Sequence, residues 1–334
     1  MDKKHKQLKR YIENANNILV VSHRGPDMDA FCSMLLVKEF LNIFFPSKKI
    51  VVKARQLPSF NIPRMHDIER VETIDEGEED LIIIVDIPDL EFVCNPNETL
   101  FSTKKDIVVI DHHQKISKDY KLVINEHRSS ASEQVIETFK QILGKKFKLT
   151  KEIAALGQYG INADTGRFLY HTTTPNTLRL FADLYEFYPI DLEEITYKIG
   201  KVPQESAKIV AHLLENINII KDMAYTYISL EDVNQNHWKK SDIGKAVTFV
   251  KDNYLRFIQG VHWGFTLKPD IKKENIWWVS FRSTNGYQDV NEITKSLGGG
   301  GHIYASGAKL RYDKKVSVDY VLKDILTAVT KHTS

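Results

Sequence analysis

The apolar run Ile107-Val108-Val109-Ile110 leads straight into Asp111-His112-His113, which sets a carboxylate and two imidazoles at the carboxyl end of a buried-type strand. Two other runs end the same way. Asn17-Ile18-Leu19-Val20-Val21-Ser22 delivers His23-Arg24-Gly25-Pro26-Asp27-Met28-Asp29, and Leu81-Ile82-Ile83-Ile84-Val85 delivers Asp86. A fourth acidic position, Asp164, follows an apolar helical stretch. A lone Asp or His at a strand end is ordinarily a cap or a satisfied polar group, whereas four such segments in one chain point to metal-ligating chemistry. Parallel sheets bind ligands outside the carboxyl ends of their strands, so the four segments would converge on one crevice.

The array suits two divalent cations. Asp27 and Asp29 stand two apart, so each can face one of two neighbouring ions, while His23 closes onto the first and a lone carboxylate such as Asp86 bridges. In two-metal hydrolases the ions lie roughly 3.5–4 Å apart, polarise a phosphoryl oxygen and lower the pKa of a shared water. Oxygen and imidazole donors without thiolate favour manganese, with magnesium, iron or cobalt as alternatives, over a structural zinc.

Short apolar runs alternate with helical patterns through about residue 185, the mark of an α/β unit whose mostly parallel sheet carries helices on both faces. Met34, Leu35, Val37 and Leu41 give the first crossover helix an apolar stripe, with Lys38 and Glu39 outside. Ser130-Ala131-Ser132-Glu133 predicts a capping box. A later helix beginning at Lys151 carries Asp164 at its end, and another ends at Tyr188-Pro189. Residues 190–211 are polar with helical patches and read as a linker between a first domain, 1–189, and a second, 212–334.

In the second domain 223–228, 257–261 and 276–281 read as strands of a smaller α/β unit. Trp277 and Trp278 must face opposite sides of their strand, so at most one meets a ligand. The run Gly298-Gly299-Gly300-Gly301 lets the backbone approach a phosphate and turn N–H groups toward it, although a helix C-cap accounts for one or two of the four.

At 334 residues the chain exceeds what one core usually supports. Its 46 basic and 44 acidic side chains leave a formal charge of +2, which argues against a large duplex-binding surface but is compatible with a short nucleic acid or a nucleotide. Cys32 and Cys94 make no disulfide framework and read as reduced thiols of a cytoplasmic protein, Cys32 close enough to the first motif to be sensitive to oxidation. No stretch approaches the ~20 apolar residues of a membrane span. The basic first twelve residues lack the apolar core of a signal peptide; Leu8, Tyr11 and Ile12 have the spacing of an amphipathic helix packed on the sheet.

Taken in order, His23-x-x-x-Asp27-x-Asp29, Asp86, Asp111-His112-His113 and Asp164 resemble the four signature motifs of the DHH phosphoesterase superfamily, which includes RecJ-like exonucleases, family II pyrophosphatases and nanoRNases. Gly298-Gly299-Gly300-Gly301-His302, with Ala305 and Gly307 behind it, resembles the substrate-binding signature of the DHH-associated domain. Asp164-Thr165-Gly166-x-Phe168 and Asp289-Val290-Asn291 are most similar to the nanoRNase/pAp-phosphatase group. Met28 and Cys32-Ser33 depart from that group at positions that are not ligands.

The resemblance implies a first metal held by His23, Asp27 and Asp86 and a second held by Asp29, Asp86, His112 and Asp164. It implies that His113 points at the scissile phosphate, that Asp111 orients His112, and that Arg282, Ser283, Gly299, Gly300, Gly301 and His302 hold the rest of the substrate, with the active site in the cleft between the domains. The implied activity is hydrolysis of short oligoribonucleotides to mononucleotides, with 3′-dephosphorylation of pAp, by a homodimer using two divalent cations, manganese before magnesium or cobalt. The alternatives are a stand-alone phosphodiesterase for cyclic di-AMP or pApA and a catalytically idle nucleotide-binding protein.

Overall fold

Strands made of Ile, Leu and Val without polar alternation must be covered on both faces, and the first sheet is built that way. Its six strands are β1 (Asn17–Val21), β2 (Lys49–Ala54), β3 (Ile68–Arg70), β4 (Leu81–Val85), β5 (Asp106–Ile110) and β6 (Leu122–Ile124). They lie in the order β3-β2-β1-β4-β5-β6 with every neighbouring pair parallel. The order reverses between β1 and β4, which makes that point the topological switch where doubly wound sheets open a crevice for ligands. The computed structural model describes residues 1–58, 61–74, 77–87, 92–93, 105–113 and 120–333; Cys94 lies outside the described residues. The chain divides into two compact units, Met1–Ile199 and Gly200–Ser334.

In the first unit Ile18, Val20, Ile83, Val85, Val108 and Ile110 point to one face of the sheet, where they meet α1 (Lys3–Asn14), α2 (Met28–Phe44), α3 (Ala131–Leu143), α4 (Lys151–Asp164) and α5 (Pro175–Phe187). Leu19, Val21, Ile82, Ile84 and Val109 point to the other, against Ile74, Ile87 and Val93. α1 buries Leu8 and Ile12 and packs on β6 and α3, the amphipathic role its spacing predicts.

α2 differs from the single stripe expected of it. Every residue from Met28 to Val37 is buried, because α2 lies between the sheet and α4, and Glu39, expected outside, is buried with Arg64 3.6 Å away. The capping box of α3 is only half formed. Ser130 Oγ accepts from the Glu133 N–H at 3.0 Å, but the Glu133 carboxylate turns to Ser129, whose N–H and Oγ–H donate to it at 3.1 and 2.6 Å.

Helices occupy the polar segment 190–211: α6 (Leu192–Gly200) closes the first unit, with Ile195 against Ala155, and α7 (Gln204–Glu215), which buries Ile209 and Leu213, opens the second. Its sheet comprises β7 (Asn218–Ile220), β8 (Met223–Tyr227), β9 (Trp263–Pro269), β10 (Ile276–Ser283), β11 (Gly300–His302) and β12 (Ala305–Arg311), in the order β11-β12-β10-β9-β8-β7. Only β8 and β9 pair in parallel.

Trp263, Phe265, Leu267, Trp277, Val279 and Phe281 pack on α10 (Val290–Ser296) and α11 (Val318–His332). The opposite face carries α7 and α9 (Lys240–Asn253), with α8 (Leu230–Asn236) beside them. The strand expected at 257–261 is absent: Leu255–Phe257 forms a single 3-10 turn, and Gly260 at φ +79° reverses the chain before β9 begins six residues later than predicted. Trp277 is buried and Trp278 is exposed with Lys309 4.8 Å over its ring, as strand alternation requires. Among the described residues no helix is long and apolar enough to cross a membrane.

Candidate metal centre

Asp86 sits immediately after β4 with φ +55°, a left-handed conformation that Asp tolerates better than most residues. Its N–H still donates to Ile110 O at 3.3 Å, so the strand ladder continues while the carboxylate swings over the switch point. His23 Nε2 lies 3.7 Å from one Asp86 oxygen and His112 Nε2 lies 3.3 Å from the other. His112 Nε2 is also 3.5 Å from Asp164. Asp86 therefore stands between two groups: His23 with Asp27 and Asp86, and Asp29 with His112 and Asp164, the ligand atoms within each group lying within 4.8 Å of one another.

Each carboxylate is fixed by the element it ends or begins. Asp27 is the N-cap of α2, its Oδ1 accepting from Ala30 N–H at 3.1 Å. Asp29, in the first turn of α2, accepts the N–H groups of Ala131 and Ser132 at 2.6 and 3.0 Å, which pins it to the N-terminus of α3. Asp164 closes α4 through a tight turn: Thr165 Oγ–H donates to Ile161 O at 2.6 Å and its oxygen accepts from Phe168 N–H at 3.0 Å. Gly166, Arg167 and Phe168 all take positive φ there, and Phe168 is anchored edge-on against Phe181 at 4.8 Å.

Electrostatics at the centre are those of acids crowded without enough cations. Burial and the Asp86 charge push the Asp29 carboxyl up to about 7, and burial likewise raises Asp164 well above the carboxylate range. Asp86 goes the other way, because hydrogen bonds from His112 and His23 outweigh its burial. Burial alone would lower His112, but Asp164 and Asp86 hold its imidazole well above the ordinary value. Divalent cations would neutralise this charge, and the donors fit them: carboxylate oxygens and imidazole nitrogens only. Cys32 is fully buried and its thiol is raised well above its usual value by burial and by Asp29 and Asp27, so it stays protonated, outside the donor set and unlike an oxidation-sensitive thiolate.

Asp111 differs from its implied role. Its carboxylate takes His113, accepting from the ring at Nδ1 (2.7 Å) and from the backbone N–H (3.2 Å), where the resemblance puts His112. Neighbouring spacing explains it, since the Asp111 carboxylate folds back as an Asx turn onto the residue two ahead. That bond leaves His113 Nε2 directed away from Asp111, with the His112 and His113 rings 4.8 Å apart.

In the second unit the implied substrate residues fall partly together. Arg282 of β10 pairs with Ala305 of β12, and Ala305 pairs with His302 of β11, so Arg282 and His302 share a sheet face two strands, about 10 Å, apart. Ser283 alternates to the opposite face and is 1 % exposed. Thr284, two residues after Arg282, returns to the Arg282 face, a place the sequence could have given from strand alternation alone.

Arg282 donates through Nε to Asp252 at 3.0 Å and through Nη1 to Phe281 O at 3.0 Å. Lys251, absent from the sequence-based set, is buried beside it, and burial together with Arg282 lowers its ammonium to about 8. Gly298 and Gly299 donate to Lys295 O and Thr294 O and close α10, while Gly300, Gly301 and His302 form the exposed edge strand β11. Gly301 needs its φ of +148° and could carry no Cβ, which would lie 2.7 Å from Ala305 O.

Sequence reasoning also missed Gly160. A Cβ there would press on Ser132 and lie 2.7 Å from Asp29 Oδ1, so glycine on α4 is what lets α4 pass the second ligand group.

The N-terminal domain of the DHH family matches residues 17–161. A Streptococcus mutans protein named as a probable bifunctional oligoribonuclease and PAP phosphatase NrnA is 28 % identical over 299 residues, 89 % of this chain and 90 % of that one. An uncharacterised protein of Mycoplasma genitalium, MG371, is 30 % identical over 309 residues, covering 90 % of this chain and 89 % of its own. In fold the chain is similar to an exopolyphosphatase-related protein of Bacteroides fragilis, with a TM-score of 0.82, 22 % identity, and coverage of 99 % of this chain and 98 % of that one. With Asp86 between two carboxylate and imidazole groups at the switch point of its sheet, the chain belongs to the DHH phosphoesterase family, in its NrnA-type group.

Proposed function

We propose that this hydrolase degrades short oligoribonucleotides to mononucleotides and removes the 3′-phosphate of pAp, using two manganese ions. The observation that carries the reading is the position of Asp86 between the two ligand groups, 3.7 Å from His23 in one and 3.3 Å from His112 in the other. His23, Asp27 and Asp86 would hold one ion, and Asp29, Asp86, His112 and Asp164 the other. When bound, the pair would polarise the phosphoryl group and lower the pKa of the attacking water.

The remaining work falls to the chain's own side chains. Asp111 accepts the Nδ1–H of His113 and fixes the ring, and in its imidazolium form the ring gives its Nε2 proton to the leaving 3′-oxygen as the P–O bond breaks, while the water oxygen bonds to phosphorus and releases its own proton to solvent. Arg282, Lys251 and His302 supply positive charge and donors for a phosphate that is not cleaved. Recognition through phosphates needs no base readout, in keeping with a net charge of only +2 and a short substrate. A cytoplasmic homodimer is the form the family resemblance supports.

The test is a substrate panel on chelated, dialysed protein: a dinucleotide, pAp, pApA, cyclic di-AMP and a long RNA, each with and without manganese. The dinucleotide and pAp should turn over fastest, and only with metal added. Cyclic di-AMP as the fastest substrate would move the protein to the cyclic dinucleotide phosphodiesterases. Binding without turnover of any of them would make it an idle binding protein.

A further inference from the structure

Beyond Arg282 the strand β10 does not simply end. Thr284 N–H donates to His262 O at 2.9 Å, which extends the β9–β10 ladder by one pair. Arg282 pairs with Gly264 and Ser283 with Trp263, so the added pair of Thr284 with His262 lies on the same face as Arg282, two positions or about 7 Å further along. Gly264, opposite Arg282, is closed over by the backbone of Ala224, which leaves no room for a Cβ.

The chain then turns back on itself. Tyr287 N–H donates to Thr284 O at 3.1 Å, with Gly286 at φ +85° where a type II turn requires it. The turn lays the Tyr287 ring flat on His262, centroids 3.7 Å apart and planes within 14°. His262 is half-buried beneath it, while Tyr287 remains 48 % exposed. Neither ring belongs to the apolar cluster on either face of this sheet, the one with Trp263, Phe265 and Phe281 or the one with Ala224, Val250 and Val261. An aromatic pair held flat by a turn, exposed on its outer side and one step along the sheet from Arg282, which has Lys251, Arg256 and the Asp252 carboxylate about it, has the make-up of a nucleotide site: π-face for the base, cations for the phosphate.

We propose that Tyr287, backed by His262, is the stacking platform for the nucleobase of the terminal nucleotide whose phosphate is held at Arg282. The proposal deepens the nanoRNase reading and rests on it. Every base has a π-face, so the platform accepts all four bases yet discriminates a nucleotide from a bare sugar phosphate. It would give a short substrate an anchor in the second unit that inorganic phosphate or polyphosphate cannot use.

The test is equilibrium binding of 2-aminopurine riboside 5′-monophosphate, whose fluorescence falls on stacking, measured in chelator so that no hydrolysis contributes. The wild-type protein should quench the probe, and ribose 5-phosphate should compete about tenfold more weakly than AMP. Tyr287→Phe should retain quenching, and Tyr287→Ala should abolish it and weaken probe binding about tenfold, with an unchanged melting temperature. Equal quenching and affinity in Tyr287→Ala, or no quenching by the wild type, would overturn the platform. Hydrolysis of a dinucleotide in manganese is scored separately, so its absence counts against the nanoRNase reading and leaves the quenching result to stand by itself.

Discussion

Asp111 and His113 are bonded twice, ring to carboxylate at 2.7 Å and backbone N–H to carboxylate at 3.2 Å, although only two residues separate them. The pair fixes the ring of a histidine at a strand end through its Nδ1.

Asp111→Asn should therefore lower kcat about 10–100-fold with little change in KM or in manganese affinity, because a neutral amide neither holds the Nδ1–H as a carboxylate does nor supports the charged ring that gives up a proton from Nε2. Steady-state kinetics beside a manganese titration separate the two effects. A loss of manganese affinity with normal kcat at saturating metal would assign Asp111 to His112 instead.

Asp86→Asn keeps a side chain that tolerates φ +55° but removes the charge that lies between the two groups. The expected outcome is a fall in turnover of more than ~100-fold, since even residues behind a ligand cost 10–100-fold. Metal analysis should find fewer than two ions per chain. Full metal content with normal turnover would show that Asp86 does not bridge.

How much of this could be read beforehand differs by kind of feature. The three strand ends were legible because an unbroken run of Ile and Val can only be a buried strand, and the residue after it can only lie at its carboxyl end. Asp164 was legible as the terminus of an apolar helix. Glu39 was misjudged because burial on the far side of α2 comes from α4, more than a hundred residues later in the chain, and a one-helix pattern cannot contain it. The turn at 257–260 hid behind residues with strand propensity, where Gly260 and its positive φ decided the outcome. Gly160 and the partner of Asp111 were illegible for a different reason: both depend on distances of about 3 Å between side chains, which spacing along the chain does not determine.

Gly160→Ala follows directly. The added methyl would crowd Asp29 and Ser132, and overpacking of this kind costs about 1–3 kcal/mol. The variant should melt lower and bind its second manganese ion more weakly, read by thermal denaturation and by titration. An unchanged second-ion affinity would mean that Asp29 is not held by the passage of α4.

The stability of the ion-free protein should depend on pH through the same residue. Asp29 is raised from 3.8 to about 7, so the fold favours its neutral form. That contribution is fully present below the unfolded value and is lost as pH climbs through about 7; Asp164, also raised, acts in the same direction. In chelator the melting temperature should fall between about pH 5 and about pH 8, while the increase produced by manganese should grow, because binding displaces those protons. A manganese effect that shrinks with rising pH would contradict the ligand assignment.

Turnover per end across single-stranded RNAs from two nucleotides to beyond twenty, in manganese, measures directly whether the protein is a short-RNA hydrolase anchored by phosphate contacts in its second unit. The rate should be highest at two to about five nucleotides and decline steadily beyond, since a long strand gains no further positioned contacts. Replacing Arg282 and His302 together with Ala should flatten that profile. Digestion of long single strands at an undiminished, processive rate would contradict the account and place the protein with the RecJ-like exonucleases.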